Sequence, residues 1–133
     1  MRRIVASLEL PSPGGRDYLT FDLYANRGVF VGSDIEPGTY ALQGAETRYS
    51  TCGACVIIST NEHAYGSSGI DYDEQYVAQS GTLILTDTNG RLAGSLTDVE
   101  LAHFTHEPVS PPSDTIADGC TTKIPSLEFD IPL

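Results

Sequence analysis

The chain has 133 residues, 40% of them hydrophobic and 19% charged, the length and balance of one globular domain with its own core. Its 18 Asp and Glu against 7 Lys and Arg give a net charge of −11, which argues against nucleic acid and anionic lipid as partners, because phosphate recognition needs clustered cations. No apolar run approaches the ~18 residues of a membrane span.

In chain order, Arg2-Arg3 is not followed by the apolar stretch of a signal peptide. Ile4, Ala6, Leu8 and Leu10 instead alternate with Val5, Ser7 and Glu9, which predicts a strand. The start reads either as cytosolic or as a mature domain given a new initiator. Pro11-Ser12-Pro13-Gly14-Gly15 predicts a turn. In 17–25, Leu19, Phe21, Leu23 and Ala25 share one face, while Tyr18, Thr20, Asp22 and Tyr24 share the other. Further turn signals stand at Asn26-Arg27-Gly28, Glu36-Pro37-Gly38 and Gly66-Ser67-Ser68-Gly69.

Residues 71–79 read as two helical turns or, equally well, as a strand through Tyr76-Val77-Ala78. Residues 82–97 carry the strongest local signal: two apolar runs flank Asn89-Gly90, which predicts an antiparallel hairpin with a type I′ turn. The alternation slips at Thr97-Asp98, the mark of a bulge or bend. The stretch 107–122 holds Pro108, Pro111 and Pro112 and is expected to be extended and polar. Leu127, Phe129 and Ile131 close the chain with another inward row. Short strands between turn signals, with no repeat and no linker, predict one all-β domain over 1–133. The expected architecture is an antiparallel β-sandwich of jelly-roll type or, alternatively, a small β-barrel.

Three cysteines, Cys52, Cys55 and Cys120, admit several readings. A redox pair wants Cys52-Gly53-Ala54-Cys55 at a helix N-terminus, yet the β-branched Val56-Ile57-Ile58 follows. A zinc site would need all three cysteines with one of His63, His103 or His106. If 52–55 is extended, its ends lie ~10 Å apart, beyond the reach of a bridge, so those two pair only in a tight turn. The favoured reading joins one of them to Cys120, closing a loop of about 65 residues and contributing about 4 kcal/mol. With such a bridge the domain is expected outside the cytoplasm.

Asp71, Asp73 and Glu74 follow a Gly-Ser loop and form a candidate calcium site, although their spacing is not that of an EF-hand. Tyr65, Tyr72 and Tyr76 lie near that loop and form the candidate contact patch, since tyrosine joins an apolar ring to a polar tip. No nucleophile elbow or phosphate-cradling loop is present, so no catalytic residue is named.

The segments Glu36-Pro37-Gly38-Thr39-Tyr40, Thr51-Cys52-Gly53-Ala54-Cys55-Val56, 76–83 (YVAQSGTL) and 126–132 (SLEFDIP) occur in this order. So arranged, from about Leu19 to Leu133, the chain resembles uncharacterised secreted, lipoprotein-type β domains of gliding soil bacteria. In those domains the TC-x-x-C segment, a further cysteine before the YxAxSGT strand and a late cysteine imply two disulfides; for this chain the resemblance implies an extracytoplasmic address, exported or lipid-anchored in the native precursor, and no activity. The chain departs from the pattern in 71–75, which lacks a cysteine. The expected function is an exported, non-catalytic structural or ligand-binding domain. The alternatives are a lipocalin-like barrel binder or enzyme, with Tyr18, Thr20, Asp22 and Tyr24 lining its interior, and a calcium-dependent carbohydrate-binding or adhesion module.

Overall fold

The computed structural model describes residues 2–11, 16–61, 63–65, 69–71, 74–104 and 119–133, with 63–65 and 69–71 described by their backbone path. Alternating segments become strands: β1 (Arg3–Leu10), β2 (Asp17–Tyr24), β3 (Gly38–Ala41), β4 (Ala54–Thr60), β5 (His63–Tyr65), β6 (Gly69–Asp71), β7 (Glu74–Asp87), β8 (Arg91–Phe104) and β9 (Thr121–Pro132). Two 3-10 turns, Gly28–Phe30 and Gly44–Thr47, are the only helical segments among the described residues.

All pairings are antiparallel. The main sheet runs β1-β2-β4-β7-β8-β9, with β3 also paired to β7, and β5 and β6 form a separate two-stranded ribbon. The sheet curls into a half-barrel. Strands four places apart in its order meet across the core, the rings of Phe21 on β2 and Phe129 on β9 lying 4.3 Å apart. The all-β antiparallel architecture expected from the alternation is therefore the one observed.

One face supplies the main core. Ile4, Ala6, Leu19, Phe21, Leu23, Val56, Ile58, Leu83, Leu85, Leu96 and Leu101 are buried there, as the period-two pattern requires. The row Tyr18, Thr20, Asp22 and Tyr24 lies on the opposite face. It does not line an interior, because Leu19, Phe21 and Leu23 occupy the core side.

The slip in alternation at Thr97-Asp98 is a bulge. Register passes from Ala78↔Leu101 through Ser80↔Glu100 to Thr82↔Thr97, and Asp98 has φ 52°. Gly81 fits the defect: its φ is +119°, and a Cβ there would stand 2.7 Å from Val99 Cα. At this bulge β7 changes neighbours, residues 74–77 lying beside β4 and 82–85 beside β3. Pro125 falls opposite the same interruption on β9, an edge position where its missing N–H is tolerated.

The hairpin at Asn89-Gly90 is present, but its turn is not type I′. Gly90 has φ 78° while Asn89 is not in the positive-φ region. The loop holds Thr88, Asn89 and Gly90, and the Asp87 carboxylate accepts the Asn89 N–H at 2.9 Å. The extra residue removes the need for two consecutive left-handed residues. Residues 71–79 resolve in favour of strand from Glu74 onward. β9 already begins at Thr121, inside the stretch expected to be extended loop; residues 105–118 lie outside the described residues.

Candidate functional site

β4 is buried from Ala54 through Ser59 without interruption, so both its faces are covered. Its inward face joins the core. Its outer face forms a second apolar cluster of Cys52, Cys55, Ile57, Val77 and Phe104, flanked by Tyr24 and Tyr49. The run Ala54-Cys55-Val56-Ile57-Ile58 carried this signal in the sequence, since an unbroken apolar strand is one packed on both sides.

Above that cluster lies a cleft of about 190 Å³ bounded by Thr20, Asp22, Tyr49, Ile57, Ser59, Gln75 and Phe104. Four consecutive neighbours in the sheet (β2, β4, β7 and β8) contribute to it, and Tyr49 enters from the loop before β4. Ile57 and Phe104 make its floor apolar. Gln75 Nε2 donates to Ser59 Oγ at 3.0 Å, tying the polar wall across two strands. The Tyr49 and Phe104 rings stack, 6.1 Å apart with 17° between their planes.

Asp22 holds this arrangement together. It is 4% exposed and accepts two bonds from Arg3, Nε to Oδ1 and Nη2 to Oδ2, each at 2.9 Å. The Tyr24 and Tyr49 hydroxyls each donate to Oδ2 at 3.1 Å. Three of these four donors meet Oδ2 and one meets Oδ1, so Asp22 fixes the two tyrosines that flank the cleft. Burial and the Asp22 charge raise the Tyr49 phenol well above its usual range, keeping it a donor. Two guanidinium groups approach the Tyr24 ring, Arg3 at 4.9 Å and Arg27 at 4.5 Å from its centroid.

Glu46, 2% exposed, organises the neighbouring loop. Its Oε1 accepts the Val29 N–H at 3.0 Å, and its Oε2 accepts those of Gly53 at 2.9 Å and Ala54 at 2.6 Å. Burial pushes its carboxyl up; the amides of Ala54, Gly53 and Val29 and the Arg27 charge pull it back in part. Gly53 and Gly28 are required at this crossing. A Cβ on Gly53 would collide with the Arg27 carbonyl, and one on Gly28 with Glu46 itself.

The cysteine bridge differs from the one expected. Cys52 pairs with Cys55, their Cα atoms 5.3 Å apart, both fully buried. The chain turns at Cys52-Gly53 before β4 begins at Ala54, and this turn brings in the ends that an extended segment would hold apart. The bridge does not involve Cys120, which is exposed. With both sulfurs so engaged, the zinc set loses two ligands and the redox pair loses access.

The sequence-predicted patch is only partly described. Tyr72 and Asp73 lie outside the described residues, and Tyr65 and Asp71 are described by backbone alone, in β5 and β6. Tyr76 packs against the main core, and its hydroxyl donates to Glu74 Oε2 at 2.6 Å. It therefore faces away from the cleft. Its ring lies 5.4 Å from that of His103; His106 lies outside the described residues and His63 is described by backbone alone. Among the described residues, no group of three His, Cys, Asp or Glu is placed to hold a metal ion. Among the same residues, no helix is long and apolar enough to cross a membrane.

Comparison with protein-family models, with curated proteins and with solved structures finds no match to this chain.

Proposed function

We propose that this is an exported, non-catalytic binding domain whose ligand site is the outer-face cleft of β2, β4, β7 and β8. The observation that carries the reading is that a sheet already packed on one side builds a second apolar floor on its other side and walls it with fixed polar groups. A face serving solubility alone would be expected to carry solvated charge. Here Ile57 and Phe104 offer an apolar surface, while Thr20, bonded to Ser7, and Ser59 and Gln75, bonded to each other, offer hydroxyl and amide groups beside the Tyr49 that Asp22 fixes. The size suits a small neutral polar molecule, such as one sugar ring, and falls below that of a typical drug-sized pocket of roughly 300–1,000 Å³. The buried Cys52–Cys55 bridge supports an oxidising compartment.

The test is a set of ¹⁵N–¹H spectra recorded with millimolar methyl glycosides and free neutral amino acids. Binding is expected to move the Ser59, Gln75 and Phe104 amides together and to raise the melting midpoint. Gln75→Ala should abolish both effects while leaving the unliganded fold intact. Shifts confined to other surfaces, or turnover of any panel compound, would refute the reading.

A further inference from the structure

Among the described residues the strand order of the main sheet begins with β1 and finishes with β9, and these two edges are built differently. β9 carries Lys123, Pro125 and Pro132, residues that discourage another strand from adding to an edge. β1 reads Arg-Ile-Val-Ala-Ser-Leu-Glu-Leu, with neither proline nor lysine, and among the described residues it pairs with β2 alone. Val5 on this strand is 55% exposed, one of three large apolar side chains so placed among the described residues.

We propose that two copies of the chain join edge to edge through β1, antiparallel about a two-fold axis at Ala6. The backbone sets the parity. Ala25 N–H donates to the Arg2 carbonyl at 3.0 Å, and the β1–β2 register continues from there without a shift. In an antiparallel ladder, alternate residues bond to the same neighbour. Arg2, Ile4, Ala6 and Leu8 therefore direct their amides to β2, and Arg3, Val5, Ser7 and Glu9 direct theirs outward. A second β1 must then oppose odd residues to odd residues. Axes at Ala6 and at Ser7 both satisfy this within β1, and the one at Ala6 makes more bonded pairs, setting Arg3 against Glu9 and Val5 against Ser7 of the second copy.

Side chains agree with that register. Arg3 and Glu9 are both exposed, and their opposition gives two opposite-charge cross-strand pairs across the axis. On the core side, Ile4 comes opposite Leu8 of the second copy and Ala6 opposite its equivalent, so the apolar row of each half-barrel continues into the other. Leu8 and Leu10, half-buried in one copy, gain cover. The pairing is short, so the dimer is of the transient class and dissociates on dilution.

Sedimentation velocity from micromolar to several hundred micromolar protein tests this. The expected result is a monomer–dimer equilibrium. Glu9→Arg sets Arg against Arg3 and should weaken association at least tenfold; Val5→Pro, which removes an outward N–H, should do the same. Glu9→Arg alters one exposed side chain, and its circular dichroism should match the parent, so the test stands even if Val5→Pro does not fold. Concentration-dependent amide shifts are expected at Arg3, Val5, Ser7 and Glu9. A monomer at every concentration, a dimer indifferent to Glu9→Arg, or shifts centred on β9 or on the cleft would each overturn the proposal. A strand from a different protein adding to this edge, with the chain alone monomeric, would overturn it as well.

Discussion

Asp22 and Glu46 are both buried carboxylates, and the molecule satisfies them in opposite ways. Asp22 is met by side chains: the Arg3 guanidinium and two tyrosine hydroxyls, all on rotatable arms, with the Arg3 side chain 53% exposed. Glu46 is met by backbone amides of Val29, Gly53 and Ala54, which the fold holds in place. Removing the acceptor has different consequences at the two sites. The partners of Asp22 can turn to water, whereas the amides facing Glu46 have nowhere to turn. Each donor left buried and unsatisfied costs about 1–3 kcal/mol.

Glu46→Ala should therefore be the most damaging single change, lowering unfolding free energy by about 4 kcal/mol in urea melts. Asp22→Asn keeps the shape and loses the charge, and should cost about 2 kcal/mol, because a half-exposed arginine recovers hydration. A larger loss at Asp22 than at Glu46 would reverse the comparison and make the Arg3–Asp22–tyrosine network the main fastening of the outer face.

That contrast was only half legible in the sequence. Asp22 sits in a clean alternating strand, so its face was readable, but a residue between Phe21 and Leu23 on the outer row reads as solvated charge. Its burial depends on Tyr49, which arrives from a loop 27 residues later. Glu46 was not readable at all. Gly44-Ala45-Glu46-Thr47 has the composition of a surface turn, and its burial follows from the crossing of two loops at Gly28 and Gly53. Local periodicity reported the strands, the Asn-Gly hairpin and even the bulge at Asp98, because each is written within a few residues. Partners brought together by long-range closure leave no such trace. The cleft is a middle case: the unbroken apolar run 54–58 has the pattern of a strand covered on both faces, but nothing in it names what covers the outer one.

The cysteines extend the same lesson to covalent closure. A bridge to Cys120 would have restrained about 65 residues of the unfolded chain, while Cys52–Cys55 closes four residues. On a chain-entropy estimate the short loop contributes about 2 kcal/mol, roughly half the other figure. Cys52→Ala/Cys55→Ala should thus leave a folded protein destabilised by about 2 kcal/mol. Because the ring encloses the two amides bound by Glu46 Oε2, the pair and Glu46→Ala should be non-additive in a double-mutant cycle. Alkylation of the denatured, unreduced chain should label one thiol, at Cys120; labelling at 52 or 55 would contradict the pairing.

The smallest effect expected is also the most direct probe of how Glu46 is balanced. Burial raises its carboxyl above the ordinary value of 4.5, and the amides only partly oppose this. A group with a raised native pKa binds its proton more tightly folded than unfolded, so it adds stability as pH falls through the native value toward 4.5 and withdraws it as pH rises. Other carboxylates titrate in the same range, so the signal is the difference between the parent and Glu46→Gln, which lacks this titration. That difference should move in favour of the parent between pH 7 and 4.5. Movement the other way would mean that the three amides outweigh burial, making Glu46 an anion favoured by the native state.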